Sequence, residues 1–317
     1  MKLKKSKLRK CLFLLIFFIF SMFVFRSYHD ETTLDSYECS QFNNHKHRNS
    51  YYKARQIKVC MNNLSFNSEI AIWSLISDDT QNYVHGAIKL LKSIRNNVKH
   101  TKFDAILFEL VEKPFELRFR ETLKNIGWKI CQVNRISPLI SSEDTIPMRF
   151  RDQFTKLLLW NIDEYRANYW FDLDTLVIRG LDDFLSMYKV LEKNDSLKLA
   201  CAQDFREKWV DSFNMGVFFV KPNKTEYQRL LRIKNDPNFK FETIMAEQGF
   251  LNEIYKNQWY NIGFKNNANS AVYESLKEYW LQNEREINVI HFTNSKPWDC
   301  SNKYKYLCDR WRMLNPC

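Results

Sequence analysis

The 317-residue chain is 45% hydrophobic, enough to bury a sizeable core in one large domain or two small ones. Its net charge of +11 suggests a nucleic-acid partner only until the charge is located. Residues 1–10, MKLKKSKLRK, hold six basic side chains and no acid, and taking those six from eleven leaves +5 for everything else, so the excess is a leader rather than a nucleic-acid-binding face.

The run CLFLLIFFIFSMFVF, residues 11–25, follows with no charge, proline or glycine. As a helix it covers roughly 22 Å, a little short of the roughly 27 Å core of an endoplasmic-reticulum bilayer. Lys10 and Arg26 flank it and can snorkel. A cleavable signal peptide shares this pattern but needs small residues at the cleavage point, and SMFVFRSYHD offers no convincing pair. The reading is therefore a cytoplasmic tail (1–10), a transmembrane signal anchor (11–25) and a single-pass type II membrane protein of the secretory pathway. Residues 26–68 are polar, lack periodicity and read as a stem; His45 and His47 within it read as solvated.

Of eight cysteines, Cys11 lies in the apolar run, and the seven others cannot all pair within one chain. Cys300, Cys308 and Cys317 are placed to staple the C-terminal tail, with the connectivity open, and the absence of a CxxC pair argues against structural zinc. Asn63, Asn194 and Asn223 stand in glycosylation sequons.

From Glu69 the pattern becomes that of a folded domain running to residue 317. EIAIWSLI (69–76) is a strand; Tyr83, Ala87, Leu90, Leu91 and Ile94 stripe a helix; FDAILFEL (103–110) is a second strand. Phe115, Phe119, Leu123 and Ile126 mark another helix, and WKICQV (128–133) a third strand. A helix near 152–162, a strand ending at Asp172, and strands near 197–203 and 214–221 continue the series. Such alternation predicts an α/β fold, a mainly parallel sheet with helices on both faces, which binds ligands at the carboxyl ends of its strands.

Asp172 and Asp174 stand at such an end. Side chains two apart on an extended segment point the same way, so the pair can share a divalent cation; a solvated turn is the competing reading. Asp182 and Asp183 read as the acidic start of a helix. The six glycines are too scattered for a phosphate-binding loop, so a nucleotide here needs a metal and side chains instead. NVIHFTNSKPWD (288–299) puts His291 at the end of an apolar run with Lys296 five residues on. Two carboxylates and an imidazole suit Mn²⁺ better than Mg²⁺.

Six ordered segments, SLISDDTQNYVHGA (74–87), FTKLLLW (154–160), FDLDTLV (171–177), FNMGVFFVKP (213–222), EQGFLN (247–252) and HFTNSKPW (291–298), together resemble glycosyltransferase family 8, the glycogenin-like retaining enzymes. The resemblance runs from about residue 70 to 300 and implies a GT-A fold, a Rossmann-like sheet. It implies that Leu75 and Ser77 line a uridine pocket and Tyr83 stacks on uracil, with helix packing as Tyr83's plainer role. Asp172, Asp174 and His291 match the Mn²⁺ ligands, with Leu173 between the acids. Lys156 and Lys296 match lysines that reach the sugar and diphosphate. Asp204 and Asp211 fall near acids that hold the donor sugar, Asn214 matches a sugar-contacting Asn, and Gln248 the side chain beneath the anomeric carbon. The sequence departs from the pattern at Glu247, where Asp is usual, at Met215, where a small residue is usual, and at Asn294, where glycine is frequent.

The implied activity is transfer of a sugar from a UDP-sugar to a hydroxyl of a glycan, glycoprotein or glycolipid, with configuration retained. The alternatives are a metal-dependent phosphohydrolase, which lacks further acidic or histidine ligands, and a catalytically silent lumenal binding protein that keeps the fold.

Overall fold

The computed structural model describes residue 60 and residues 64–77, 81–138 and 145–314, all within one unit, Ser50–Cys317. The tail, the anchor, most of the stem with His45 and His47, and the Asn63 sequon lie outside the described residues. Among the described residues no helix is long and apolar enough to cross a membrane.

The first half follows the sequence reading. Strand β1 (Ile70–Ile76) leads into helix α1 (Gln81–Asn97), β2 (Asp104–Leu110) into α2 (Leu117–Asn125), and then comes β3 (Lys129–Val133). The helix read near 152–162 is a tighter 3-10 helix that starts earlier, Met148–Trp160, and feeds β4 (Ala167–Phe171). Beyond it lie β5 (Thr175–Val177), α3 (Asp182–Ser186), α4 (Tyr188–Lys193), β6 (Leu199–Arg206), β7 (Lys208–Val220), α5 (Lys224–Lys234), α6 (Ala246–Ile254) and β8 (Trp259–Asn261). The C-terminal part holds β9 (Ala268–Asn269), α7 (Ser270–Ser275), α8 (Lys277–Asn283), β10 (Val289–His291) and α9 (Lys305–Met313).

Seven strands form one twisted sheet in the order β3-β2-β1-β4-β7-β6-β8. The β1–β2, β2–β3, β1–β4 and β6–β8 pairs are parallel. The β4–β7 and β6–β7 pairs are antiparallel. The departure from an all-parallel series has a simple cause: Glu207 alone joins β6 to β7, and so short a link can only turn a hairpin, whereas a parallel return needs a dozen residues or more. Both faces of the sheet are covered, which explains why its strands read as continuous apolar runs. Trp73, Phe108, Trp160, Trp170 and Phe218 fill one face against the 3-10 helix and α6. Ile72, Leu107, Tyr169, Phe171 and Phe219 fill the other against α1 and α3. Each fully buried large apolar side chain stabilises the fold by roughly 1.5–3 kcal/mol.

Buried Asn168 fixes the 3-10 helix to the sheet: its Nδ2 donates to the Leu159 and Ile162 carbonyls at 2.8 Å each, and its Oδ1 accepts from Trp73 Nε1 at 2.8 Å. A second sheet, β5-β10-β9, packs with Trp280, Phe292, Leu307 and Trp311 in a separate core; the sequence reading did not separate it from the main one. Disulfides join Cys60 to Cys131 and Cys300 to Cys308; the second is one of the pairings left open, while Cys201 is free and buried. Asp182 starts α3 as read, but its carboxylate accepts the backbone N–H groups of Lys99, His100 and Thr101, tying α3 to the end of α1. Its carboxyl pKa lies well below the usual range because burial is outweighed by those N–H donors.

Candidate active site

β4 ends at Phe171 and β5 begins at Thr175, so the acids occupy the crossing between the two sheets. The Asp172 N–H donates to the Gly216 carbonyl of β7 at 2.8 Å, and the Asp172 carbonyl accepts from the Thr175 hydroxyl at 2.7 Å. β10 pairs antiparallel with β5, with His291 opposite Thr175, and the Phe292 N–H donates to the Asp174 carbonyl at 2.9 Å. That register brings a histidine more than a hundred residues away onto the acid pair. His291 Nε2 lies 3.5 Å from Asp174 Oδ1 and 4.0 Å from Asp172 Oδ2, and one ligand atom from each residue falls within 4.8 Å of the others.

This donor set fits a divalent cation. His291 Nδ1 is 3.0 Å from Asn267 Oδ1, which leaves Nε2 to face the acids in the tautomer a metal requires. Gly216 makes room for the ring: a Cβ there would sit 2.0 Å from His291 Cε1. Two carboxylates and one imidazole suit a metal that accepts mixed oxygen and nitrogen ligands.

Two lysines balance the acids, and they differ. Lys156, on the 3-10 helix, is 2% exposed, with its Nζ 3.1 Å from Asp172 Oδ1, 2.8 Å from Glu247 Oε1 and 3.1 Å from the Met215 carbonyl. Burial alone would lower its pKa, but Asp172 and Glu247 outweigh burial and raise it, so it is a fixed ammonium. Lys296 pairs with Asp174 Oδ2, and its side chain is 41% exposed. Burial alone would raise the Asp174 carboxyl; Lys296 and His291 outweigh it and hold the group well below the carboxylate range. Lys296 is correspondingly raised by Asp174 against the pull of burial. Trp170 Nε1 donates to Asp172 Oδ1 at 2.7 Å, completing that carboxylate's support.

On the far side of His291 a polar chain runs inward. Asn267 Nδ2 donates to Asn214 Oδ1 at 3.0 Å, Asn214 Nδ2 to Asp204 Oδ1 at 3.0 Å, and Gln248 Nε2 to Asp204 Oδ2 at 3.0 Å. Gln248 Oε1 accepts the Met215 N–H at 3.0 Å. Glu247 and Gln248 follow Ala246, the first residue of α6, whose backbone sits at φ +47° and ψ −127°, a region that costs about 1–3 kcal/mol for a residue with a Cβ. Met215 packs its sulfur 3.7 Å from Cys201 Sγ in the core, so the larger side chain points away from the acids.

The structure thus gathers Asp172, Asp174, His291, Lys156, Lys296, Asp204, Asn214, Glu247 and Gln248 into one connected cluster. Asp211 is not brought there: it is exposed on β7, and among the described residues no hydrogen bond or ion pair ties it to the cluster, because the hairpin carries it outward. Leu173 is buried in the core between the two acids. Leu75 is buried at the end of β1, and the Ser77 carbonyl accepts from Lys113 Nζ at 3.2 Å. Tyr83 packs on Trp298 with ring centroids 5.2 Å apart, so its helix-packing role is present. Trp298 approaches α1 over Gly86, where a Cβ would meet its ring at 2.8 Å. Asn294 Nδ2 reaches Tyr304 Oη at 3.1 Å, anchoring the loop that carries Lys296. Sequence reasoning missed Trp170, Gly216 and Asn267. Gly216 stood inside a quoted motif without a role, and the Asn-rich run NNANS (266–270) was the available signal for Asn267.

The model of the family described as Glycosyl transferase family 8 matches residues 75–301, which is most of the chain. Among curated proteins, the chain is 26% identical over 244 residues to an uncharacterized protein of Acanthamoeba polyphaga mimivirus, covering 71% of this chain and 81% of that one. It is 25% identical over 230 residues to Glycogenin-1 of Caenorhabditis elegans, covering 68% of this chain and 48% of that one. It is 26% identical over 263 residues to Inositol phosphorylceramide glucuronosyltransferase 1 of Arabidopsis thaliana, covering 74% and 43%. The chain therefore spans less than half the length of these last two relatives. Among solved structures, the galactosyltransferase LgtC, in complex with donor and acceptor sugar analogs, is similar with TM-score 0.51 at 16% identity, covering 77% of this chain and 94% of that one. That likeness speaks for the fold, a GT-A-like Rossmann sheet. With the matched family spanning both acids, the histidine and both lysines, the chain belongs to glycosyl transferase family 8.

Proposed function

We propose that the protein transfers a sugar from a UDP-sugar to a hydroxyl of a glycan, glycoprotein or glycolipid, with retention of configuration and dependence on Mn²⁺. The observation that carries this reading is the convergence of Asp172, Asp174 and His291 beside one half-exposed ammonium, Lys296. Asp172, Asp174 and His291 would hold the cation, which when bound supplies charge to the donor diphosphate.

The chain's own residues divide the remaining work. Lys156 is sealed beneath Asp172 and Glu247 and acts as a fixed counter-charge to them without touching donor phosphate. Lys296 is accessible, so a phosphate oxygen can compete with Asp174 for its Nζ. An ammonium there stabilises the negative charge that grows on the departing phosphate. In the transfer, the bond from the anomeric carbon to the phosphate oxygen breaks as the bond to the acceptor oxygen forms, and the acceptor proton passes to the leaving phosphate. Both ends of the Gln248 amide are engaged, with Asp204 and Met215, which orients it beneath the sugar and disfavours it as a nucleophile. Front-face attack therefore fits better than a covalent intermediate. Asp204, Asn214 and Glu247 are proposed to contact the donor sugar; Leu75, Ser77 and Tyr83 to hold uridine.

A Golgi or endoplasmic-reticulum membrane location, with this domain lumenal, remains part of the proposal. The two disulfides support an oxidising compartment.

The test is UDP release by the purified full-length chain across a panel of UDP-sugars, with Mn²⁺ and with EDTA. Manganese-dependent release from at least one donor is expected, and NMR of the early product should show retained configuration. Release from no donor would favour the silent binding protein, and inversion would refute the retaining assignment.

A further inference from the structure

A second cleft, of about 260 Å³, is lined by Gln203, Trp209, Asn261, Phe264 and Tyr279. Three of its walls are aromatic and in mutual contact: Trp209 to Phe264 and Trp209 to Tyr279 at 5.9 Å between centroids, Phe264 to Tyr279 at 5.5 Å. The other two are side-chain amides, each with one end anchored. Gln203 Nε2 donates to the Val210 carbonyl at 3.0 Å, which leaves Oε1 as a spare acceptor. Asn261 Oδ1 accepts the Gly263 N–H at 2.9 Å, which leaves Nδ2 as a spare donor. Among the described residues, neither Trp209 Nε1 nor the Tyr279 hydroxyl has a hydrogen-bond partner.

Rigid rings with unspent polar tips, beside pre-anchored amides, form a surface for a ligand that is apolar on its C–H faces and hydroxylated at its edges. A pyranose ring has that character. A charged ligand is disfavoured because none of the five lining residues carries a charge.

The cleft is built from the same segments as the active site. Gln203 precedes Asp204 in β6, at a point where the pairing with β7 is irregular between Gln203 and Phe205. Phe264 stands three residues before Asn267, the partner of His291. None of the five lining residues belongs to the donor cluster, so a ligand here lies outside it.

We infer that this cleft is a carbohydrate subsite that holds a neutral sugar unit of the acceptor glycan away from the reacting hydroxyl. The occupant's identity as acceptor rests on the glycosyltransferase reading; its chemistry as a neutral saccharide rests on the cleft. Holding the acceptor at a remote unit raises the effective concentration of its reacting end at the donor.

The test is saturation-transfer NMR on the full-length chain with maltotriose, cellotriose and xylotriose, without nucleotide and with EDTA present. Transfer to the C–H protons of at least one trisaccharide is expected, with affinity roughly tenfold weaker in Tyr279→Ala and partly restored in Tyr279→Phe, which keeps the ring but not the hydroxyl. Should Tyr279→Ala fail to fold, Gln203→Ala gives the same readout by removing an amide. Absence of transfer to all three sugars, or transfer that both Tyr279→Ala and Gln203→Ala leave intact, overturns the inference. UDP release from donor is unaffected by these outcomes, so failure of the subsite and failure of the glycosyltransferase reading are separable.

Discussion

Gly216→Ala tests the site at its tightest point. The added Cβ would lie 2.0 Å from His291 Cε1, 2.4 Å from Nδ1 and 2.7 Å from Nε2. Carbon atoms in contact settle at about 3.5–4.0 Å, so the imidazole must retreat by about 1.5 Å or the β7 backbone must yield. Coordination tolerates about 0.2 Å, so a retreat of that size removes His291 as a ligand. It also breaks the Nδ1 contact with Asn267, now 3.0 Å. Displacement of about 1 Å costs on the order of 100-fold in rate, and kcat/KM should fall by at least about that factor. Overpacking should cost about 1–3 kcal/mol of stability, leaving a folded protein. The assay is UDP release as a function of Mn²⁺ concentration, with urea unfolding alongside. Gly180→Ala is the control, since a Cβ there meets nothing within 4 Å. Parental turnover and parental manganese dependence in Gly216→Ala would refute the assignment of His291 as a ligand.

Three other outcomes follow from the same geometry. Lys156→Met leaves Glu247 buried without its partner and should cost about 3–5 kcal/mol in urea unfolding; a loss under about 1 kcal/mol would show that the pair is dispensable. Asp174→Ala should lower UDP release by about 10²–10³-fold while leaving a folded, somewhat less stable protein; a collapsed fold would make this acid structural. Burial pushes the Glu226 carboxyl up, but Arg229 and the Tyr255 hydroxyl outweigh it and lower the pKa. The stabilisation this gives is complete above the unfolded value of about 4.3 and is lost as pH falls through the lower folded value, so Glu226→Gln should flatten the acid limb of the stability curve. An unchanged acid limb would count against it.

The sequence carried the first half of the fold well because each strand there is followed by its own helix, and the two periodicities are visible in single windows. It carried the hairpin β6–β7 less well: polar residues fill the halves next to the turn, and direction is set by the length of the link, not by composition. The acid pair was legible as a pair, but the meaning of His291 depended on a pairing register between β5 and β10 that no local pattern encodes. The residue types made the link a candidate, and the family resemblance strengthened it. Lys156 shows the opposite limit. Its motif was plain in sequence, yet only packing reveals that its ammonium is sealed from solvent and faces two carboxylates. Trp170 and Asn267 were invisible for the same reason, since a buried aromatic and an asparagine acquire a role only from what they touch.

The crossing at residues 172–174 is also a mechanical joint. Upstream it belongs to the seven-stranded sheet through β4; downstream it enters the small sheet that anchors α7, α8 and α9. Any molecule that grips these carboxylates together with His291 clamps the small sheet and the helices packed on it to the main body. Occupancy of the site should therefore be felt as slower amide exchange in β9, β10 and the helices packed on them, well beyond the atoms the bound molecule touches.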